Sequence, residues 1–314
     1  MDAVTCAYRW IASADRTRES GRCIQVNIVM MKAFMSISRP WLLAACVAAL
    51  ALMHHPAQAA DRLRVMTFNV RLPMASDGPE RWEARRDLFV KTIREQHPDV
   101  FGTQELYKAQ GDYVVAKLPG YKWFGMGRKG NDGDEHMGVF YRTDELRVLD
   151  SGNFWLSDTP EVPGSNTWGT PFPRMVTWAR FQRKDDGRTF VLFDTHLPYR
   201  AQDDAVREKG AAVILKRISK FPGDEPFVLT GDFNTTPASH VHAMLTRHLQ
   251  DAWLAAPHRS GPDKTFHDFT GKPTERIDWI LVRGFRVQDV RTVTTHDGKL
   301  HPSDHFPVVA ELEW

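Results

Sequence analysis

Polar residues sit where apolar strands should end, and each is of a type that handles phosphate, water or a hard cation. Gly231-Asp232-Phe233-Asn234 closes the run Phe227-Val228-Leu229-Thr230, and a strand's period of two puts Asp232 and Asn234 on one face. A carboxylate beside an amide at a strand end holds a metal, or a phosphate and a water. Asn69 interrupts Val65-Met66-Thr67-Phe68, Glu105 follows Val100-Phe101-Gly102-Thr103-Gln104, and His196 closes Phe190-Val191-Leu192-Phe193-Asp194-Thr195. Ser303-Asp304-His305 precedes the last apolar run. Taken singly, each has an ordinary structural account: a turn Asn, a helix-start Glu, a loop His, a capping Asp. Strands of one sheet bring their ends to one edge, so together these residues describe an acidic, histidine-bearing pocket.

Apolar, β-branched runs at 63–70, 100–104, 137–141, 175–181, 189–197, 227–234, 277–282 and 306–312 read as the strands that would carry those ends. Trp82, Phe89 and Ile93 share one face of a helix opened by Asp77-Gly78-Pro79, and Val206, Gly210, Val213, Ile214 and Ile218 do so for a helix over 202–220. A weaker helix, 106–118, is interrupted by Gly111. Strands and helices mixed in this order predict one α/β or α+β domain. Two stretches read as long loops: 125–135, rich in Gly, Asp and Lys, and 159–173, with Pro160, Pro163, Pro171 and Pro173. Aromatics border both, Trp123 and Phe124 for the first, Phe154, Trp155, Trp168 and Phe172 for the second. They serve either as packing under the loop or as a substrate rim.

The 314 residues are 42% apolar and 25% charged, with 41 basic against 39 acidic side chains, which excludes a disordered, collagenous or polytopic membrane chain. Lys32 and Arg39, the apolar run 41–53 and Ala57-Gln58-Ala59 have the layout of a secretory signal peptide over 30–59, cleaved after Ala59. The run is shorter than the roughly 20 residues a membrane-spanning helix needs, so stable membrane insertion is not expected. Leu43-Ala44-Ala45-Cys46 resembles a lipoprotein box, but too little apolar sequence precedes Cys46, and ordinary cleavage is preferred to lipidation. Residues 1–29 lie upstream of a signal that belongs at an N-terminus, so Met30, Met31 or Met35 reads as a start and 1–29 as an upstream extension or mis-assigned start. The remaining domain, 60–314, keeps 35 basic and 36 acidic residues, about −1, and none of Cys6, Cys23 and Cys46. Cysteine chemistry is thereby excluded there, and secretion or a periplasmic location follows from the leader.

Thr67-Phe68-Asn69-Val70, Gln104-Glu105, Glu135-x5-Tyr141, Thr195-His196-Leu197, Gly231-Asp232-Phe233-Asn234, Arg276-Ile277-Asp278-Trp279 and Ser303-Asp304-His305 resemble, in order, the motifs of the endonuclease/exonuclease/phosphatase superfamily. That superfamily includes deoxyribonuclease I, inositol-polyphosphate phosphatases and neutral sphingomyelinases. The resemblance runs from about residue 63 to 314. It implies a four-layer, deoxyribonuclease I-like sandwich: two packed, mostly antiparallel β-sheets flanked by helices, with the site at one end. It also implies that Glu105 is the main ligand of Mg2+ or Mn2+, with Asn69 and Asp304 in direct or water-mediated contact. Oxygen ligands and no available thiol suit such a hard cation.

The implied reaction is hydrolysis of a phosphate ester by in-line attack of water. His305 is paired with Asp278 on the nucleophile side, Asp232 and Asn234 position the water and the phosphoryl oxygens, and His196, with Glu135 as its partner, contacts the phosphate. The water's proton goes to Asp232 or to His305. Two departures stand out. Asp194 occupies a place where the family often has Asn, and either adds charge near the site or faces away from it. Arg174 either forks a phosphate or pairs with an acid across strands. His136, His296 and His301 read as loop histidines rather than ligands.

A near-neutral domain without a long basic run argues against a duplex-binding groove, while tryptophan-bordered loops suit unpaired bases, a lipid headgroup or a sugar phosphate. The expected activity is a nuclease-like, Mg2+-dependent phosphodiesterase. The alternative is a phosphomonoesterase or phospholipase C-type (sphingomyelinase- or inositol phosphatase-like) hydrolase. An inactive binding module would lack a ligand or a base, and Asn69, Glu105, His196, Asp232, Asn234, Asp278, Asp304 and His305 are all present. A serine hydrolase is unsupported for want of a Gly-x-Ser-x-Gly elbow. The partner is thus a phosphate ester, nucleic acid or lipid headgroup among them.

Overall fold

Strand alternation sets the layers. In β1 (Arg62–Asn69) Leu63 and Val65 face one way and Met66 and Phe68 the other, and both sets are fully buried. A strand apolar on both faces needs a layer on each side. The computed structural model describes residues 61–314 and supplies both layers. The expected leader 30–59, Cys46 and the segment 1–29 lie outside the described residues.

After β1 come α1 (Trp82–Gln96), β2 (Val100–Leu106), α2 (Lys108–Lys117), β3 (Tyr121–Phe124), β4 (His136–Arg142) and β5 (Leu146–Trp155). Then follow β6 (Met175–Arg183), β7 (Thr189–His196), α3 (Asp204–Ile218), β8 (Phe227–Asp232), α4 (His240–Thr246), β9 (Gln250–Asp251) and α5 (Ala252–Ala255). β10 (His258–Ser260), β11 (Asp278–Arg283), β12 (Arg286–Thr292) and β13 (Val308–Glu313) complete the chain. A seven-stranded sheet runs β10-β12-β13-β1-β2-β4-β3 and a six-stranded one β5-β6-β7-β8-β11-β9. Pairing is antiparallel except for β1–β2, β7–β8 and β10–β12.

The sheets face each other across Val65, Val100, Leu192, Val228 and Ile280, while Ala211, Ile214 and Ile218 of α3 cover the outside of the six-stranded sheet. On the other side Phe89 and Ile93 of α1 cover Phe68 and Phe101, and the Phe68 and Phe89 rings stack at 4.4 Å. This is the expected four-layer sandwich of two sheets flanked by helices. No helix among the described residues is long and apolar enough to cross a membrane.

Several local expectations are corrected. α2 is unbroken at Gly111, because the ring of Trp123 occupies the place a Cβ would take, 2.6 Å away. β8 ends at Asp232, so Asn234 reaches the site through a turn with φ of 48° and not by strand pleat. His136 opens β4, fully buried, with Nδ1 3.1 Å from the Leu106 carbonyl, and is no loop residue. β5, the longest strand, escapes sequence reading because its central Asp150-Ser151-Gly152-Asn153 is polar.

Candidate active site

The topology explains why distant polar residues meet. β1 and β2 run parallel, as do β7 and β8, so Asn69, Glu105, His196 and Asp232 all lie at C-terminal ends. β11 runs antiparallel to β8 and sets its first residue, Asp278, opposite Asp232. The segment leading into β13 adds Asp304 and His305.

Glu105 sits at a register shift in β2 with φ of 59°, a bulge that aims its side chain out of the ladder. Its carboxylate accepts from the Leu72 N–H at 3.1 Å and from the Asn69 amide at 3.3 Å. The same Asn69 Nδ2 donates to Asp232 Oδ2 at 3.0 Å, and Asn69 Oδ1 accepts from the Arg71 N–H at 2.9 Å. Asn69 therefore clamps two acids side by side.

Asn234 donates its backbone N–H to Asp232 Oδ1 at 2.9 Å. Its Nδ2 donates to the Leu197 carbonyl at 3.0 Å, which fixes the amide's orientation, and lies 2.8 Å from His196 Nε2. Nε2 is thus the acceptor and His196 is neutral. Burial, with Arg174 and His305 nearby, holds its imidazole well below the usual range. His305 is the opposite case. Burial works against its charge, but Nδ1 lies 2.9 Å from Asp278 Oδ2, and Nε2 lies 3.9 Å from Asp232 and 4.0 Å from Asp304. Three carboxylates outweigh burial and raise the imidazolium well above its ordinary value.

Asp232 is pushed up to about 7, by burial first and then by the charge of Asp278. Glu135 also rises to about 7, from burial and the nearby Glu105. Glu135 makes no contact within 4.0 Å with His196, its expected partner; it pairs with Arg128 at 2.8 Å. Buried acids that raise one another's pKa are what a cation would relieve. Ligand atoms of Glu105, His196 and Asp232 lie within 4.8 Å of one another, as do those of Asp232, Asp278 and His305. An oxygen-rich set of this kind fits a hard divalent ion.

Glu105, Glu135, His196, Asp232, Asn234, Asp304 and His305 line one cavity of about 700 Å³, with Asn69 and Asp278 bonded to them from behind the lining. Arg174 lines it too, 5% exposed, with Nη1 buried and unbonded, and it has no ion pair to an acid across strands among the described residues. Phe172 stacks on Arg128 at 4.1 Å and also lines the cavity, so the second long loop does reach the rim. Trp155 does not, being buried with its indole N–H on the Arg128 carbonyl. Arg71 went unnoticed in the sequence. Its backbone holds Asn69, and its guanidinium lies 2.8 Å from Asp77 and 3.8 Å from Asp304. Its position directly after Thr67-Phe68-Asn69-Val70 was the available signal.

Asp194 is neither beside the cavity nor on the far face. It points between the sheets one layer below His196, accepting on Oδ1 from Gln104 at 2.7 Å and Thr230 at 2.8 Å. Gly102 leaves the room: a Cβ there would stand 2.1 Å from that oxygen. Oδ2 is buried without a partner, and burial raises the carboxyl well above its ordinary value. A carboxyl raised in the folded state favours folding fully below its unfolded value near 4, and that contribution is lost as pH climbs toward the folded value. Asp194→Asn keeps the Oδ1 bonds and cannot ionise. The stability gain should be small near pH 4 and reach roughly 1–3 kcal/mol at pH 8, the cost of a buried unmet polar group. A Tm difference that does not widen with pH would show that Asp194 ionises freely.

Comparison with known proteins agrees with this architecture. The description Endonuclease/Exonuclease/phosphatase family matches residues 66–305. The crystal structure of the endonuclease/exonuclease/phosphatase from Bacteroides vulgatus is 34% identical with a TM-score of 0.76, over 80% of this chain and 98% of that one. The mannosyl-6-phosphatase of Bacteroides thetaiotaomicron is 32% identical with a TM-score of 0.75, over 80% and 100%. Nocturnin of Drosophila melanogaster is 25% identical over 205 residues, 59% of this chain and 30% of that protein. The chain spans less than two thirds of the length of the curated relatives it matches, 60% at most. With the matched span, the shared two-sheet fold and the polar strand ends gathered at one rim, the chain belongs to the endonuclease/exonuclease/phosphatase family of hydrolases.

Proposed function

We propose that the protein hydrolyses a small phosphate monoester with the help of Mg2+ or Mn2+, outside the cytoplasm if its leader acts as its sequence suggests. The observation that carries this reading is Arg174. A buried guanidinium without a partner costs several kcal/mol, and a cavity of small-molecule size gives it access to an anion. A terminal phosphate, with more charge than a diester, answers both Arg174 and the adjacent Arg128. The likeness to a mannosyl-6-phosphatase over that chain's whole length points the same way.

In this reading Glu105 holds the cation, with Asp304 beside it and Asn69 orienting the acids. The cation supplies Lewis-acid stabilisation of charge on the phosphoryl oxygens when bound. Asp232, with the free Oδ1 of Asn234, aligns a water and takes its proton, while His196 locks the Asn234 amide beside the phosphate. His305, fixed by Asp278 and ringed by carboxylates, acts as a charged donor and not as the base. The water oxygen forms the new bond to phosphorus, the bond to the ester oxygen breaks, and that oxygen takes a proton from solvent.

Phosphodiester cleavage is the second reading, favoured by Tyr199, 55% exposed at the cavity edge, where an unpaired base could stack. Rates on p-nitrophenyl phosphate and bis-p-nitrophenyl phosphate with Mg2+, Mn2+ or EDTA separate the two. The monoester is expected to give at least tenfold higher kcat/KM, and the reverse ratio would restore the diesterase. Arg174→Met should cut kcat/KM for the monoester about a hundredfold while raising Tm, since a buried unpaired charge is removed. Loss of both activity and Tm would instead make Arg174 a structural residue.

A further inference from the structure

We infer that the part of the cavity lining that carries Asp268 and Glu275 reads the alcohol portion of the ester, and that this portion is a neutral polyol such as a sugar. The inference rests on the phosphate-monoester reading and names its leaving group. Asp268 and Glu275 line the cavity, both exposed, and neither carboxylate has a hydrogen bond or ion pair among the described residues. Phe266, which bridges Glu275, and Tyr199 also line it. Acids alone would mean little on a protein surface. Here they share one cavity with Arg174, whose buried guanidinium has no partner among the described residues and is open to an anion. The cavity therefore carries one buried cation and two exposed carboxylates that have no partner among the described residues.

That polarity selects among substrates. A second phosphate, as in a nucleic acid chain, would be repelled by Asp268 and Glu275. An acyl chain would leave both carboxylates facing hydrocarbon. Hydroxyl groups donate to carboxylates, one carboxylate can accept from two neighbouring hydroxyls, and the C–H face of a sugar ring packs on an aromatic ring.

The carboxylates are also held in register with the reaction centre. The His267 and Asp268 N–H groups donate to the Asp304 carbonyl at 2.9 and 3.2 Å. Phe266 bridges both Glu275 and His305, and Thr265 Oγ1 accepts from the Ile277 and Asp278 N–H groups at 3.2 and 3.3 Å. The segment that carries Asp268 and Glu275 is thus tied to Asp304, His305 and Asp278, so a polyol seated on it is placed relative to the attacked phosphorus.

The test compares mannose 6-phosphate, p-nitrophenyl phosphate and phosphocholine on the full chain and on Asp268→Asn and Glu275→Gln. The ratio of kcat/KM for mannose 6-phosphate to that for p-nitrophenyl phosphate should fall at least tenfold in each variant, the loss of one or two charge-assisted hydrogen bonds. Calorimetric Kd for mannose 6-phosphate with EDTA present should weaken at least fivefold, and this reads recognition apart from turnover. If no ester is hydrolysed, the hydrolase reading fails while the Kd comparison still decides the wall. An unchanged ratio and an unchanged Kd overturn the inference. So does a preference for phosphocholine that the same substitutions abolish, which would assign the carboxylates to an ammonium group.

Discussion

Glu105→Gln is expected to reduce turnover of any phosphate ester by a factor of about a thousand or more, with the fold intact. The substitution keeps the side chain's shape and its acceptor for the Leu72 N–H, and removes the charge together with the long 3.3 Å bond from the Asn69 amide. Glu105 adds to the upward push on Asp232, Asp304 and Glu135, so a neutral residue here lessens repulsion among buried acids, and Tm should hold or rise. What is lost is the anionic anchor for a divalent ion, and metal-assisted charge stabilisation is worth several kcal/mol. Titration with Mn2+ followed by calorimetry should show at least tenfold weaker binding in the variant. Wild-type turnover together with wild-type affinity would remove Glu105 from the metal site.

Asp232→Asn should cost a further class of function, about a thousandfold to ten-thousandfold in kcat even at saturating Mn2+. Asp232 is the hub of the site. It accepts from Asn69 and from the Asn234 backbone, and Oδ2 lies 3.6 Å from His196 and 3.9 Å from His305. A general base contributes roughly 10²–10⁴, and loss of the charge opposite His305 adds to that. The neutral amide relieves repulsion among buried acids but offers one acceptor where Asp232 offers two, to Asn69 and to Asn234, so the two effects offset and Tm should change little. Activity lost with stability kept is the signature of a reacting group, whereas a parallel fall in Tm would mark Asp232 as a structural acid. The two substitutions are distinguishable at saturating Mn2+, where the loss in Asp232→Asn should persist because the base is missing and that in Glu105→Gln should lessen as the cation is forced in.

The strands that build the rim were legible because they are apolar on both faces and end in turn residues. β1, β2, β7, β8, β11 and β13 each lie within a few residues of their expected spans. β5 and β12 were not legible, since edge-side strands with one solvated face carry Asp, Ser, Asn, Gln and Arg at half their positions. Gly111 misled because its meaning is tertiary: it makes room for Trp123, which approaches from another strand. Asp268 and Glu275 were invisible as site residues, for they sit outside the named strands, on a segment whose direction depends on its contacts with Phe266 and Asp304.

The sequence alone determined the kinds of residue at each strand end, their order along the chain and hence the family and its two-sheet fold. These are local or one-dimensional properties, fixed by hydrophobic period and by motif. Tertiary structure alone decided which acid touches which base. It gave Glu135 to Arg128 and not to His196, tucked Asp194 between the sheets, and left Arg174 without a partner among the described residues. Those outcomes depend on the stagger of the two sheets and on left-handed residues at Arg71, Glu105, Asn234 and Asp268. A shift of one residue in a strand's register turns its side chains to the other face, so charge pairing at the rim is settled only when the sheets have packed.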